Sequence, residues 1–210
     1  MFYKTRFLLG LGGAMLLSAC MTTGADVSRD APAKTGKATV SSSSLSQTSS
    51  STNSSREKPF KAYVTGYSYW SNTPPGSAAI ARPVLRRRAG GTGTYKDPIT
   101  IAVGHSINGS RQTLDYPAGT RFYIKGLRKY AIVEDVCGDG RRPQNGPCHT
   151  GFRGLPWLDI YVDGKGSTAA SARACAGRLT RVHNIIQNPS PNYPVVVGAL
   201  TESGCQVFPG

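Results

Sequence analysis

From about residue 59 onward the apolar residues come in short runs that glycine or proline soon interrupts. This punctuation confines the chain largely to strands joined by turns. "KAYVTGYSYW" (Lys61 to Trp70) alternates and then enters a loop rich in Pro, Gly and Arg. "PITIAVG" is a brief apolar strand. "GTRFYIKG" and "RKYAIVEDV" predict a hairpin around Gly126-Leu127. "WLDIYVDG" predicts a further strand, and "NYPVVVGAL" a buried last one. One helix interrupts them, "STAASARACAGRL", with Ser167 or Thr168 as N-cap and alanines filling its turns. Many short strands with one short helix and long loops predict a mainly β fold, a compact barrel over a sandwich or an α/β sheet.

The N-terminus has a different logic. "MFYKTRFLLGLGGAMLLSAC" carries Lys4 and Arg6 and then an apolar run too short for a comfortable membrane span, the form of an export signal. Its end, "LSAC", resembles the bacterial lipobox, which implies a signal peptide over 1–19 and lipidation of Cys20. Met21 after the cysteine implies sorting to the outer membrane, where the lipid anchor holds the chain at a membrane surface without spanning it. Residues 20–58, rich in serine, read as a disordered tether, because little in them can repay the entropy of ordering. Residues 59–210 then form a single domain.

With Cys20 lipidated, Cys137, Cys148, Cys175 and Cys205 remain, and an even count in an exported chain predicts two disulfides. Three pairings are possible. Cys137–Cys148 with Cys175–Cys205 is the favoured one, since each bridge closes a local segment. Zinc is disfavoured by the lack of a Cys-x-x-Cys pair and by the scatter of His105, His149 and His183. Cys148-His149 also suggests a thiol nucleophile, but disulfide pairing competes with it in this compartment. "VDGKGST" lacks the upstream glycine of a phosphate-binding loop and is read as a helix cap. No cofactor is expected.

The sequence holds 25 basic and 11 acidic residues, a net charge of +14 that implies an anionic neighbour. Export argues against nucleic acid, leaving peptidoglycan carboxylates, lipid phosphates and acidic polysaccharides. Arg82, Arg86, Arg87 and Arg88 either grip such anions or form a solvated loop.

Against this basic background Glu134, Asp135, Asp139, Asp159 and Asp163 gather around one cysteine-bearing loop. Alternation places Leu158, Ile160 and Val162 on one face, and Trp157, Asp159 and Tyr161 on the other. An acid between two rings suits a sugar. Alternation also points Glu134 and Asp135 to opposite sides. Asp139 and Asp163, each before a glycine, read as turn formers. Asp135 reads equally as a turn acceptor or a groove residue.

"AGTRFYIKG…YAIVEDVCGDG…WLDIYVDG…ASARACAGRL" resembles the three-aspartate (3D) domain, a double-psi β-barrel found in membrane-bound lytic transglycosylase A and many cell-wall proteins. The family pattern falls on Gly119-Thr120, on Asp135 with Gly138, on Asp159-Ile160-Tyr161, and on Ala169 to Gly177. "YVTGYSYW" resembles the opening strand of such barrels. Gly119 to about Leu179 carries the likeness well and the rest of the domain loosely. Rare lipoprotein A, expansins and barrel cellulases are more distantly similar. Here a longer loop separates Asp135 from Asp159, the turn reads Asp-Val-Cys-Gly, and the large second domain of the transglycosylase has no counterpart.

The resemblance implies a six-stranded double-psi barrel acting on peptidoglycan or another anionic envelope glycan. Asp159 would be the general acid/base and Asp135 its charged neighbour, with Trp157, Tyr161, Tyr67 and Trp70 as substrate-binding rings. The alternatives are a non-catalytic, expansin-like glycan-binding module, and an envelope interaction protein in which the barrel is only scaffold.

Overall fold

A computed structural model of the chain describes residues 56–209. The expected signal peptide at 1–19, lipidation at Cys20 and nearly all of the tether at 20–58 lie outside the described residues. The punctuated runs form eight strands: β1 (Lys58–Tyr67), β2 (Ile99–Val103), β3 (His105–Asn108), β4 (Arg111–Leu114), β5 (Arg121–Ile124), β6 (Lys129–Val136), β7 (Trp157–Tyr161) and β8 (Arg181–Gln187). Two helices accompany them, the single turn α1 (Pro147–Thr150) and the longer α2 (Ala169–Leu179). Six strands close into a barrel in the order β1-β7-β2-β6-β5-β8, and β3 pairs with β4 as a separate hairpin. β1 runs parallel to β7 and β2 parallel to β6; the other barrel pairings are antiparallel. This is the mainly β barrel that the short runs predict, with the six strands that the resemblance implies.

The barrel interior is filled by the apolar side of each strand. Ala62, Val64, Ile101, Val103, Val133, Leu158 and Ile160 are all 0% exposed. Each of these valines, leucines and isoleucines contributes roughly 1.5–3 kcal/mol relative to leaving it in water.

α2 begins at a capping box. The Thr168 hydroxyl accepts the Ser171 N–H (3.1 Å), and the Ser171 hydroxyl accepts the Thr168 N–H (2.8 Å). The helix lies on β1 at Gly66, where a Cβ would stand 2.7 Å from a Val162 methyl and 3.1 Å from the Ala176 backbone. Only glycine permits so close an approach. Disulfides join Cys175 to Cys205 and Cys137 to Cys148, with Cα atoms 5.3 and 5.7 Å apart. The favoured pairing is the one formed.

Two elements differ from expectation. "NYPVVVGAL" is not a strand: it crosses the outside of the barrel irregularly, with Val197 65% exposed. Its carbonyls at Val196 and Gly198 receive the ammonium of Lys129, which is enclosed by the protein. Burial pulls this lysine down to about 8. The last barrel strand is instead β8, "RVHNIIQ", whose polar residues mask its pattern. The β3–β4 hairpin, turning at Gly109-Ser110, was likewise not anticipated.

Glu134 secures the wall of the barrel without a cationic partner among the described residues. Its side chain is 0% exposed and accepts three consecutive backbone N–H groups, from Val84 (3.2 Å), Leu85 (2.6 Å) and Arg86 (3.1 Å), and the Thr100 hydroxyl (3.2 Å). Removing the acceptor leaves four donors to find new partners, at about 1–3 kcal/mol for each that stays unsatisfied. Glu134→Ala is therefore expected to lose at least about 3 kcal/mol of stability in denaturant unfolding. Hydrogen exchange should show loss of protection concentrated at the amides of residues 84–86.

Candidate functional site

The site begins with a break in strand register. Ile101 of β2 pairs with Val133 of β6, but the next residue, Ala102, pairs with Asp135, so Glu134 is one extra residue on β6. Such a bulge re-aims side chains. Thr100 pairs with Ile132, which sets the side that Glu134 shares; Ala102, two residues beyond Thr100, pairs with Asp135 on that same side. Glu134 and Asp135 therefore face outward together, correcting the expectation that they point to opposite sides. Their partners agree, because Glu134 receives the N–H groups of residues 84–86 and Asp135 that of Ala81, in one continuous loop.

Register then aligns four residues across adjacent strands. Thr65 of β1 pairs with Asp159 of β7, Asp159 with Ala102 of β2, and Ala102 with Asp135 of β6. Neighbouring strands lie about 4.8 Å apart, so the two aspartates flank Ala102 with roughly 10 Å between their backbones. A methyl group between them leaves room for a ligand.

Above this row lies a groove of about 380 Å³ lined by Tyr67, Asn72, Ala102, Asp135, Asp139 and Asp159 among others. One wall is the loop after β1, from Ser71 to Ala81; the other is the start of the disulfide loop at Cys137. The Thr73 hydroxyl donates to Asp139 (3.3 Å), joining the two walls. Asp139 is thus a groove residue, and reading it as a turn former alone is corrected. Asp163 behaves as a backbone acceptor, taking the N–H of Tyr69.

The two central carboxylates differ in kind. Asp135 accepts the Ala81 N–H (3.0 Å), the Val136 N–H (2.9 Å) and the Tyr67 hydroxyl (2.9 Å). Burial nevertheless raises its pKa. Asp159 has a single partner among the described residues, the Thr65 hydroxyl, which donates to Oδ1 at 2.6 Å. Burial pushes Asp159 up to about 6; the Asp135 charge adds to this and the Thr65 hydrogen bond opposes it. The Tyr67 phenol is raised well above its usual range, first by burial and then by Asp135.

The rings expected beside Asp159 are dispersed. Trp157 packs edge-on to Tyr63 at 4.7 Å and lines a neighbouring hollow with His149 and Asp115, though its indole N–H donates to Thr65 (2.8 Å). Tyr161 is 5% exposed and stands edge-on to Tyr67 at 5.2 Å. Trp70, 39% exposed, lines a second hollow against α2 that shares Ser71 with the groove. Tyr67 alone of the four lines the groove itself. In the arginine cluster, Arg86 is committed to the Gly90 and Pro98 carbonyls and Asp97, and Arg82 to Ala81 and Gln112. Arg87 and Arg88 are exposed. Among the described residues no group of three His, Cys, Asp or Glu side chains is placed to hold a metal ion. Thr65 has no signature in the sequence, since a lone threonine in a strand carries no signal until its cross-strand partner is known.

A family model, the DDB_G0273701 N-terminal domain, matches residues 59–206. The chain is also similar to an uncharacterized protein of Dictyostelium discoideum, DDB_G0273701/DDB_G0273221, at 39% identity over 84 residues. That alignment covers 40% of this chain and 33% of the relative, so the chain spans about a third of the relative's length. No solved structure matches.

The raised Asp159 pKa has a consequence for stability. The folded protein holds this proton more tightly than the unfolded chain, whose carboxyl titrates near its ordinary 3.8. The favourable contribution is therefore complete below about pH 4 and is lost as pH rises through about 6. Asp159→Asn, which keeps an acceptor for Thr65, is expected to be more stable than the wild type at pH 7 by up to about 3 kcal/mol. The difference should vanish below about pH 4, as read by thermal unfolding across the pH range.

Proposed function

The chain belongs to the DDB_G0273701 N-terminal domain family, and we propose that its barrel cleaves glycan strands, with peptidoglycan as the substrate and Asp159 as general acid/base. The observation that carries this reading is one carboxyl, Asp159, with a single hydrogen-bond donor, opening on a groove beside a second, three-donor carboxyl; burial raises its proton affinity. The resemblance to three-aspartate domains supports it, as do the two parallel strand pairings, which suit a double-psi barrel.

The reaction follows from these groups. The Asp159 proton passes to the glycosidic oxygen as the bond to C1 breaks, and the leaving sugar departs as an alcohol. The positive charge developing at C1 is stabilised by the Asp135 carboxylate, which Tyr67, Ala81 and Val136 hold in place. The 6-hydroxyl of the muramic acid residue then attacks C1 and gives its proton to the Asp159 carboxylate. A 1,6-anhydro ring forms, no water is consumed, and the acid is restored. One acid suffices because the nucleophile belongs to the substrate.

A second reading, non-catalytic glycan binding, draws on the exposed pair Tyr69 and Trp70, 37% and 39% exposed; Trp70 lines a hollow that adjoins the groove at Ser71. The outer-membrane lipid anchor belongs with either reading.

Digestion of purified murein sacculi separates them. Wild type is expected to release 1,6-anhydro-muropeptides, identified by mass, at a rate that falls as pH rises through about 6. Asp159→Asn should lower that rate by about 100- to 10,000-fold. Binding that is equal in both proteins, with no product from either, would establish the second reading instead.

A further inference from the structure

A carboxylate has two equivalent oxygens, and an acid that delivers a proton to one bond must carry it on the correct one. At Asp159 the structure breaks that equivalence. The Trp157 indole Nε1–H donates to Thr65 Oγ1 at 2.8 Å, and Thr65 Oγ1 lies 2.6 Å from Asp159 Oδ1. An indole nitrogen donates and cannot accept. The Thr65 oxygen must therefore accept from Trp157, and its single hydroxyl proton is left for Asp159. In this arrangement Oδ1 is the acceptor. Oδ2 has no hydrogen-bond partner among the described residues, and it is not among their enclosed, unpartnered polar atoms.

We propose that Trp157 and Thr65 are positioning residues that fix the Asp159 proton on Oδ2, the oxygen left open at the groove. A proton on Oδ1 would face the Thr65 hydroxyl proton; Trp157 already fills one of the two lone pairs of Thr65, and Thr65 donates no other side-chain hydrogen bond among the described residues. The chain of donors runs one way, from indole to hydroxyl to carboxylate. The proton thus leaves from Oδ2 and returns to it. Trp157 acts here through its N–H, with its ring turned into the stack with Tyr63 and Phe152. Other titratable or charged groups around Asp159 are Tyr67 of β1, Asp135 of β6, Tyr161 of β7 and Asp139 of the disulfide loop. None of them donates to Oδ1.

The catalytic meaning rests on the reading of Asp159 as the acid; the proton placement can be tested without it. The chain contains two tryptophans, and the exposed Trp70 is an internal control. Full-length protein labelled with ¹⁵N and ¹³C is titrated by NMR from about pH 4 to about pH 8, spanning the displaced carboxyl. The Trp157 indole N–H signal is expected to move with the same midpoint as the Asp159 carboxyl carbon while that of Trp70 stays still. Asp159→Asn should abolish the movement. Thr65→Val removes a donor that favours the charged form, so it should raise the Asp159 proton affinity by about 2- to 10-fold, the equivalent of one hydrogen bond. Trp157→Phe should act in the same direction by freeing the hydroxyl to rotate, and Thr65→Ser should restore the wild-type midpoint. A Trp157 signal that ignores pH, or an unchanged midpoint in Thr65→Val, would overturn the assignment. If the titration behaves as expected in a protein that cleaves no glycan, the enzymatic reading falls and the proton assignment stands.

Discussion

A single inserted residue on β6 governs the outer face of this barrel. Glu134 occupies the bulge and turns outward beside Asp135, and the pair hold the loop after β1 at Ala81 and at residues 84–86. Burying an anion without a cation is tolerated only where hydrogen-bond donors replace water, and three successive backbone amides and a hydroxyl do so here. The loop needs those acceptors as much as the carboxylate needs donors. Without the bulge, Asp135 would turn toward the apolar interior, the loop would lose its anchor, and the groove would lose a wall.

The second constraint is the difference in hydrogen bonding between two acids in one groove. Asp135 has three donors, which oppose the upward push of burial on its pKa, whereas Asp159 has one. Their separation by Ala102 keeps them close enough for Asp135 to affect Asp159, yet leaves open space between them. This asymmetry comes from strand pairing as much as from residue type.

Where a feature depends on neighbours in sequence, it could be read from the sequence. The β5–β6 hairpin, β7, the Thr168-capped helix and the two local disulfides all announce themselves within a few tens of residues. Asp159 stood out because its own strand alternates cleanly. What could not be read depends on distant partners. β8 hides its inward residues among Arg181, Asn184 and Gln187, and "NYPVVVGAL" looks like a buried strand although a buried lysine, Lys129, binds its carbonyls. The bulge at Glu134 becomes visible only against β2. Trp157 and Tyr161 do sit on the face that alternation assigns them, but their rings turn toward Tyr63 and Tyr67 for packing reasons that spacing does not encode. Asp139 looked like a turn residue because Thr73, its partner across the groove, lies 66 positions away.

The four-residue row also has a kinetic meaning. Thr65 and Asp159 are separated by 94 positions, and their strands are paired in parallel, so closing this contact fixes a long span of chain. Contacts of that kind form slowly, because the entropy of loop closure is lost before the contact stabilises anything. No short fragment of the domain contains all four residues, and no early hairpin can assemble them. Asp159 therefore acquires its neighbours only as the barrel closes, and a nascent or partly folded chain has no groove for the two aspartates to share.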